Sequence, residues 1–192
     1  MHVALTFIAA ALFAMSSAAL HAAEAPGKRD VIPIQKLAPF LADYNQFLLS
    51  GEGPECKGKT RCDVDVDVWL VNSQGIDFCL TQFPKELHFD RPTLVVWRLK
   101  QHVLTSTTTG KSFNIEFQRD NGILPIRDKH WQIWGGGFGD GTVSNRWWYF
   151  RKNMYLAKDN AIVYVPLILQ TLTTDENDVG VCAAGDPRMV NE

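Results

Sequence analysis

The chain has 192 residues, of which 46% are hydrophobic, and a formal net charge of −2 at neutral pH. A near-neutral balance gives no general attraction to nucleic acid or to acidic lipid, so no nucleic-acid partner is predicted. The length fits a single domain with a sizeable core.

The N-terminus has the pattern of a secretory signal. Its apolar run, Val3 to Phe13, is shorter than the ~20 residues of a membrane span, and small residues lead to an expected cleavage near Ala22 or Ala23. We therefore predict a signal peptide at 1–22 and a flexible lead-in at 23–36. The product would be periplasmic or secreted, with no integral membrane segment after cleavage. The alternative is a membrane anchor, because the first ten residues contain no Lys or Arg.

The next segment, 37–48, is the one convincing helix, with apolar residues at helical spacing and Pro39 in its first turn. From Cys62 the apolar period changes to two, which is typical of strands. Turn-rich links divide the rest into seven strands, at 62–71, 76–81, 93–100, 112–117, 131–134, 145–152 and 161–173. Pro166 places the last strand at an edge or bulge. Residues 37–192 are thus predicted to form an antiparallel β-sandwich, immunoglobulin-like, with an N-terminal helix.

All four cysteines, Cys56, Cys62, Cys79 and Cys182, follow the predicted signal peptide. An even count in an oxidising compartment predicts two disulfides, with free buried thiols as the alternative. A zinc site is not indicated, because the sequence has no Cys-x-x-Cys pair and no histidine between Cys56 and Cys79.

The first predicted hairpin constrains the disulfide pairing. Its apolar residues face each other in a register that pairs Leu70 with Ile76, Val68 with Phe78 and Val66 with Leu80. Cys79 would then lie opposite Asp67, about 17 Å along the strand from Cys62 and too far for a bridge. We therefore predict Cys56–Cys62 and Cys79–Cys182, with the second bridge at a sheet edge.

Motifs for metals, nucleotides and phosphate are all incomplete, and no cofactor is predicted. Asp63, Asp65 and Asp67 would stand about 6.6 Å apart in a line, as a solvated strand face and not a calcium loop. The glycine-rich run 135–143 is a single copy and does not fit G-x-G-x-x-G. The segment 105–112 lacks the first glycine of a phosphate loop, and a copper site lacks a histidine after Cys182.

Catalytic patterns are equally sparse. The sequence contains no G-x-S-x-G, and no spacing marks any histidine as a catalytic base. His130, with Asp128 and Asp140 near it in sequence, is the best candidate for a hydrolase centre. A surface histidine without a catalytic role is the more common alternative.

Four of the six tryptophans surround the glycine-rich run. Because residues one or three positions apart face opposite sides of a strand, Trp131 and Trp134 should divide between core and surface, as should Trp147 and Trp148. The outer rings, with Phe138 at the loop tip, would form an exposed aromatic strip suited to sugars or peptides. The alternative is burial of all the rings against the N-terminal helix.

The segment CKGKTRC is a second candidate binding element. If Cys56 and Cys62 are bridged, Lys57, Lys59 and Arg61 lie in a constrained basic loop suited to an anionic partner. The alternative is a soluble hairpin tip without a ligand.

Three functional hypotheses follow. The first is an exported, non-catalytic binding protein of a bacterial-type cell envelope or of the extracellular space, with an unknown protein or glycan partner. The second is a carbohydrate-binding module that uses the aromatic strip. The third, a hydrolase centred on His130 and Asp140, is the weakest.

Overall fold

The computed structural model describes residues 48–50, 53–73, 75–158, 160–185 and 187–192. The predicted signal peptide, the lead-in and nearly all of the predicted helix at 37–48 lie outside these residues. Within them, no helix is long and apolar enough to cross a membrane.

The described residues are almost entirely strands and the turns between them. The strands are β1 (Leu49–Ser50), β2 (Arg61–Ser73), β3 (Ile76–Pro84), β4 (Glu86–Phe89), β5 (Thr93–Leu99), β6 (Val103–Thr105), β7 (Ser112–Phe117), β8 (Ile123–Arg127), β9 (Ile133–Phe138), β10 (Trp148–Asn153), β11 (Asn160–Pro166), β12 (Ile168–Leu172), β13 (Asp175–Val181) and β14 (Arg188–Asn191).

These strands form three sheets, ordered β1-β3-β2-β5-β10-β9, β4-β14-β11-β8 and β13-β12-β7-β6. Three pairs are parallel, namely β1 with β3, β2 with β5 and β4 with β14, and the others are antiparallel. The predicted mainly β class is confirmed. Each of the seven predicted strands overlaps at least one observed strand, although several bounds differ. The described residues also contain short strands that sequence patterns did not indicate, and the parallel pairs were not expected.

The alternation in β2 sets the position of the main core. Val64, Val66 and Val68 are buried, and they join one cluster that draws residues from all three sheets. Trp97 on β5 lies in this cluster, with its ring centroid 5.5 Å from that of Tyr164 on β11. The six-stranded sheet therefore packs its inner face against residues of the other two sheets.

The outer face of β2 carries the aspartate row. Asp65 forms an ion pair with Arg98 at 3.0 Å, and Asp67 forms one with Lys100 at 2.9 Å. Both cations lie on or just after β5, the parallel neighbour of β2. This agrees with the predicted solvated strand face, to which the structure adds cross-strand charge pairing.

The predicted register of the first hairpin is wrong. Leu70 pairs with Cys79 and Ser73 with Ile76, because β2 runs to Ser73 and only residues 74 and 75 connect the strands. The prediction placed Phe78 on the inner face with the valines, whereas Phe78 packs on the opposite face in a second small cluster with Leu48 and Leu80. Cys79 thus faces the main core.

Two disulfides join the pairs expected from sequence, Cys56 with Cys62 and Cys79 with Cys182. The second lies in the main core and not at a sheet edge, since both of its cysteines are buried there. It is reinforced by backbone hydrogen bonds from Thr81 to the Ala183 carbonyl and from Ala183 to the Cys79 carbonyl, at 2.8 and 2.9 Å.

The predicted single strand at 161–173 is two strands that belong to different sheets. β11 pairs with β8 up to Pro166, opposite Ile123, and β12 pairs with β7 from Ile168, opposite Phe117. Between them, the backbone of Leu167 forms hydrogen bonds with both ends of the loop that connects β7 and β8. Pro166 therefore ends a strand where the chain passes from one sheet to the next, close to the predicted edge or bulge.

Candidate functional site

The most exposed tryptophan lies on a tight turn between β8 and β9. The Asp128 carboxylate accepts hydrogen bonds from the backbone amides of Gln132 and Ile133, each at 2.8 Å. Trp131, which lies between Asp128 and Gln132 in the chain, has a φ of 52° and a side chain that is 78% exposed. The turn therefore fixes its own backbone and projects an indole ring into solvent.

Trp134 lies beside this turn on β9, the edge strand of the six-stranded sheet. It is 58% exposed, and its indole N–H donates a hydrogen bond to the carbonyl of Trp131. Its register partner on β10 is Lys152, so both side chains project from the same face. The two tryptophans and Lys152 thus form one exposed group.

The segment after β10 is tied to the same turn. Met154 donates its amide to the Gln132 carbonyl at 2.7 Å, and Ala157 donates its amide to the Gln132 side-chain oxygen at 3.0 Å. In this segment Met154 and Leu156 are exposed by 39% and 60%. We call Trp131, Trp134, Met154 and Leu156 together the Trp131 surface.

A buried amide network lies beneath the Trp131 surface. Gln132, Asn153 and Asn191 are buried and hydrogen-bond to one another through their side chains. These amides hold the turn and the segment after β10 in place. Because they are turned inward, they are not presented to a ligand at the surface.

Three lysines border the Trp131 surface. Lys129, Lys152 and Lys158 are exposed, and none forms an ion pair with another of the described residues. The Asp128 carboxylate in the same turn is already engaged by backbone amides. The border of the surface is therefore locally basic although the chain as a whole is not.

Backbone strain is concentrated at this place. In the described part of the chain, Trp131 and Tyr155 are the two residues other than glycine with positive φ, at 52° and 54°. They lie on either side of the hydrogen bond that joins Gln132 and Met154. A bulky residue in the left-handed region costs on the order of 1–3 kcal/mol, and such strain clusters at functional sites.

The other predicted aromatic residues do not belong to this surface. Trp148 is four residues from Lys152 along β10, which places it about 13 Å along the strand direction from Trp134. Its ring lies near Arg98. Trp147 stacks on His102 with ring centroids 3.8 Å apart. Phe138 ends β9 opposite Tyr149 and packs against the main core, so it is not at a loop tip.

The expected division of tryptophans between core and surface is wrong for this region. Trp131 precedes β9 and Trp147 precedes β10, so strand alternation does not govern either pair. All four rings are at least partly exposed, so the alternative that every ring is buried is wrong as well.

The glycine-rich run has a structural role. Gly136 has no space for a Cβ because the guanidinium of Arg151 lies against it, and that guanidinium donates to the carbonyls of Ile123 and Gly135. Gly139 has a φ of 90° where the backbone of the loop returns to Val143. The run therefore shapes a bulge and a loop.

Asp140 closes that loop. Its carboxylate accepts hydrogen bonds from the hydroxyl and amide of Thr142 and the amide of Val143, and it accepts a 3.0 Å hydrogen bond from Arg61. The Thr142 hydroxyl first, then these amides and Arg61, hold the pKa of Asp140 well below its ordinary value. Asp140 is thus an ionised structural group.

The arrangement around His130 does not assemble a catalytic centre. The carboxylates of Asp128 and Asp140 are both occupied by the backbone of their own loops. The exposed His130 side chain has no hydrogen-bond or ion-pair partner within the described ranges. In that same part of the chain, no three metal-binding side chains come together.

The basic loop is largely neutralised. Arg61 pairs with Asp63 and Asp140, and Lys57 pairs with Glu192. Lys59 is exposed and has no ion pair within the described residues. One free cation is a weak basis for an anion site.

A cleft of about 490 Å³ lies beside the basic loop and is lined in part by Glu86 and His88. His88 bonds with Glu192 through one ring nitrogen and lies 3.6 Å from Glu86 through the other. Glu86 and His88 are therefore already engaged, whereas Lys85, which also lines the cleft, has no ion pair among the described residues.

No protein-family model matches the chain, and no curated protein matches it significantly.

Proposed function

We propose that the chain is an exported, non-catalytic binding protein of the cell envelope or extracellular space, and that the Trp131 surface is its contact surface. The observation that carries this proposal is the exposure of Trp131, on a hydrogen-bonded turn with a strained backbone, and of Trp134 beside it on β9. Exposed apolar groups held in a fixed arrangement are typical of interaction sites.

The energetics support a contact role. An aromatic side chain of this size buries 150–250 Å² when it is fully covered. Covering half of both rings would contribute about 5 kcal/mol at ~25 cal/mol per Å², before the entropy cost of association. Because the turn is already ordered, little further entropy is lost when a partner binds.

The proposed location is the periplasm or the extracellular space. Two disulfides are typical of proteins from these compartments, and the N-terminal pattern adds a signal peptide. We further propose that the three sheets form two layers of a sandwich, since residues from all three enter one core. The immunoglobulin-like variant belongs to this proposal.

A carbohydrate-binding module remains a second candidate. Exposed indole rings stack well on sugar faces, and Trp131 and Trp134 offer two such rings close together. The inward-facing amides of Gln132 and Asn153 argue against it, because sugar sites combine rings with available hydrogen-bonding groups.

The test is retention of the exported protein on a panel of glycans, peptidoglycan and lipid vesicles. The double variant Trp131→Ala/Trp134→Ala should lose retention on whichever surface binds the wild type. The matched control is Trp147→Ala, which removes an exposed tryptophan near the opposite end of β10 and should keep retention. Equal loss in the control, or no retention of the wild type on any surface, would overturn the proposal.

A further inference from the structure

We propose that the partner of the Trp131 surface is the face of a phospholipid bilayer that contains anionic lipid. This inference rests on the proposed function and names the partner of the same site. It follows from the composition of the surface, from the lysines at its border and from the hydrogen bonds of its polar groups.

The composition favours lipid over sugar or peptide. The segment that is hydrogen-bonded to the Trp131 turn adds Met154 and Leu156, which are exposed and have no flat face on which a sugar ring stacks. Indole rings prefer the region between lipid headgroups and acyl chains, and aliphatic neighbours add apolar area that enters the acyl boundary. A shallow interfacial contact therefore accounts for all four side chains together.

The border of the surface supplies charge complementarity. Lys129, Lys152 and Lys158 make no ion pair with any of the described residues. The net charge of −2 gives no general attraction to acidic lipid, but the field of a charged membrane decays within about 10 Å at 0.1 M salt. The groups next to the contact therefore experience most of that field, and there the three lysines outnumber the Asp128 carboxylate of the turn.

Two polar groups at the surface are already paired within the protein. The indole N–H of Trp134 donates to the Trp131 carbonyl, and the Gln132 carbonyl accepts the Met154 amide. A polar group that enters an apolar region without a partner is costly. Internal pairing removes that cost for these groups before the membrane is reached.

The experiment is vesicle flotation of the protein exported from its full-length gene. The vesicles contain either pure phosphatidylcholine or phosphatidylcholine with about 30% phosphatidylglycerol, which is the anionic lipid. Wild type should float with the anionic vesicles, with a blue shift in tryptophan emission, and its partition coefficient should fall as salt is raised.

Variants assign the contact to the surface. Trp131→Ala/Trp134→Ala should lower the partition coefficient by at least about tenfold, and Lys129→Gln and Lys152→Gln by about fivefold each. Trp147→Ala and Val181→Ala, which change exposed side chains elsewhere, should leave it unchanged. Circular dichroism and thermal melting check that every variant is folded.

Each outcome decides between the two proposals. Flotation that is lost in the double tryptophan variant but kept in Trp147→Ala supports the lipid inference. Retention on a glycan or on peptidoglycan without flotation overturns the lipid inference and leaves the proposed function in place. Flotation that survives the double variant also overturns the inference, because the contact then lies elsewhere on the chain. No retention on any surface overturns both.

Discussion

Arg61 at the start of β2 donates a hydrogen bond from its Nη1 atom to Oδ2 of Asp140 at 3.0 Å, although 79 residues separate them. β5 and β10 lie between β2 and β9 in the sheet, so the loop after β9 must cross the outer face of both to make this contact. Val96 lies on that face of β5, opposite Asp63, and is fully buried. A segment that looks like a glycine-rich binding loop in the sequence is therefore a cover for the sheet.

Asp140→Asn should destabilise the protein at neutral pH and have a smaller effect in acid. The pKa of the native carboxyl is lowered, so its contribution is full above the unfolded value of about 3.9 and is lost as pH falls through the native pKa. Urea unfolding of wild type and variant at pH 7 and pH 3 measures the difference. Asp65→Asn, which breaks only an exposed ion pair, should change the free energy of unfolding by less than ~1 kcal/mol. A gap between wild type and Asp140→Asn that widens in acid contradicts this prediction.

Gly139→Ala should destabilise the protein by about 2–4 kcal/mol. A Cβ at this position would lie 1.6 Å from the backbone oxygen of Val143, and the φ of 90° is unfavourable for alanine. Gly137→Ala is the matched control, since its Cβ would lie at an ordinary 3.5 Å from the Phe150 ring. Chemical denaturation should give a clearly lower midpoint for Gly139→Ala than for Gly137→Ala. Equal midpoints would show that the loop relaxes without cost.

Trp131→Gly should stabilise the protein by about 1 kcal/mol, because glycine adopts a φ of 52° without the penalty that a bulky residue incurs. Little burial is lost in exchange, since the ring is mostly exposed. Trp134→Gly should have the opposite sign, because it weakens a strand. A lower melting temperature for Trp131→Gly would mean that the ring makes a stabilising contact within the protein.

Removal of the disulfides should have unequal effects. Cys79 and Cys182 are 103 residues apart and Cys56 and Cys62 only 6. The chain-entropy relation then assigns about 4–5 kcal/mol to the long bridge and about 2 kcal/mol to the short one. Paired alanine variants of each bridge, unfolded in urea, measure the two values. A larger effect for the short bridge would contradict the prediction.

Sequence periodicity was sufficient for the strands with a simple two-sided pattern. β2 and β7 alternate between core and solvent, and their facing follows directly from the valines of β2 and from Phe113 and Ile115 of β7. β3 is buried on both faces, so its apolar residues do not indicate which face meets the main core. The predicted register was wrong for that reason. The predicted cysteine pairing is still correct, because the observed register places Cys79 opposite Leu70, even further along β2 from Cys62 than Asp67.

The candidate site was predictable only in part. The count of tryptophans pointed to the region, but the exposure of Trp131 depends on a turn formed by the Asp128 carboxylate, which strand alternation does not describe. Met154 and Leu156 were missed because no period includes them. The sequence did contain one indication of this site, because three lysines lie within or next to the turn and the segment after β10.

The passage of the chain from one sheet to the next at Leu167 affects how the molecule unfolds. β11 and β12 follow each other directly in the chain, and they pair with β8 and β7, respectively. A short loop joins β7 to β8, and the backbone of Leu167 forms hydrogen bonds with both ends of this loop. Opening of either four-stranded sheet would strain these two hydrogen bonds and the two chain connections to the other sheet, so we expect the two sheets to open together. Hydrogen exchange at the amides of β8 and β12 should therefore report the same opening free energy.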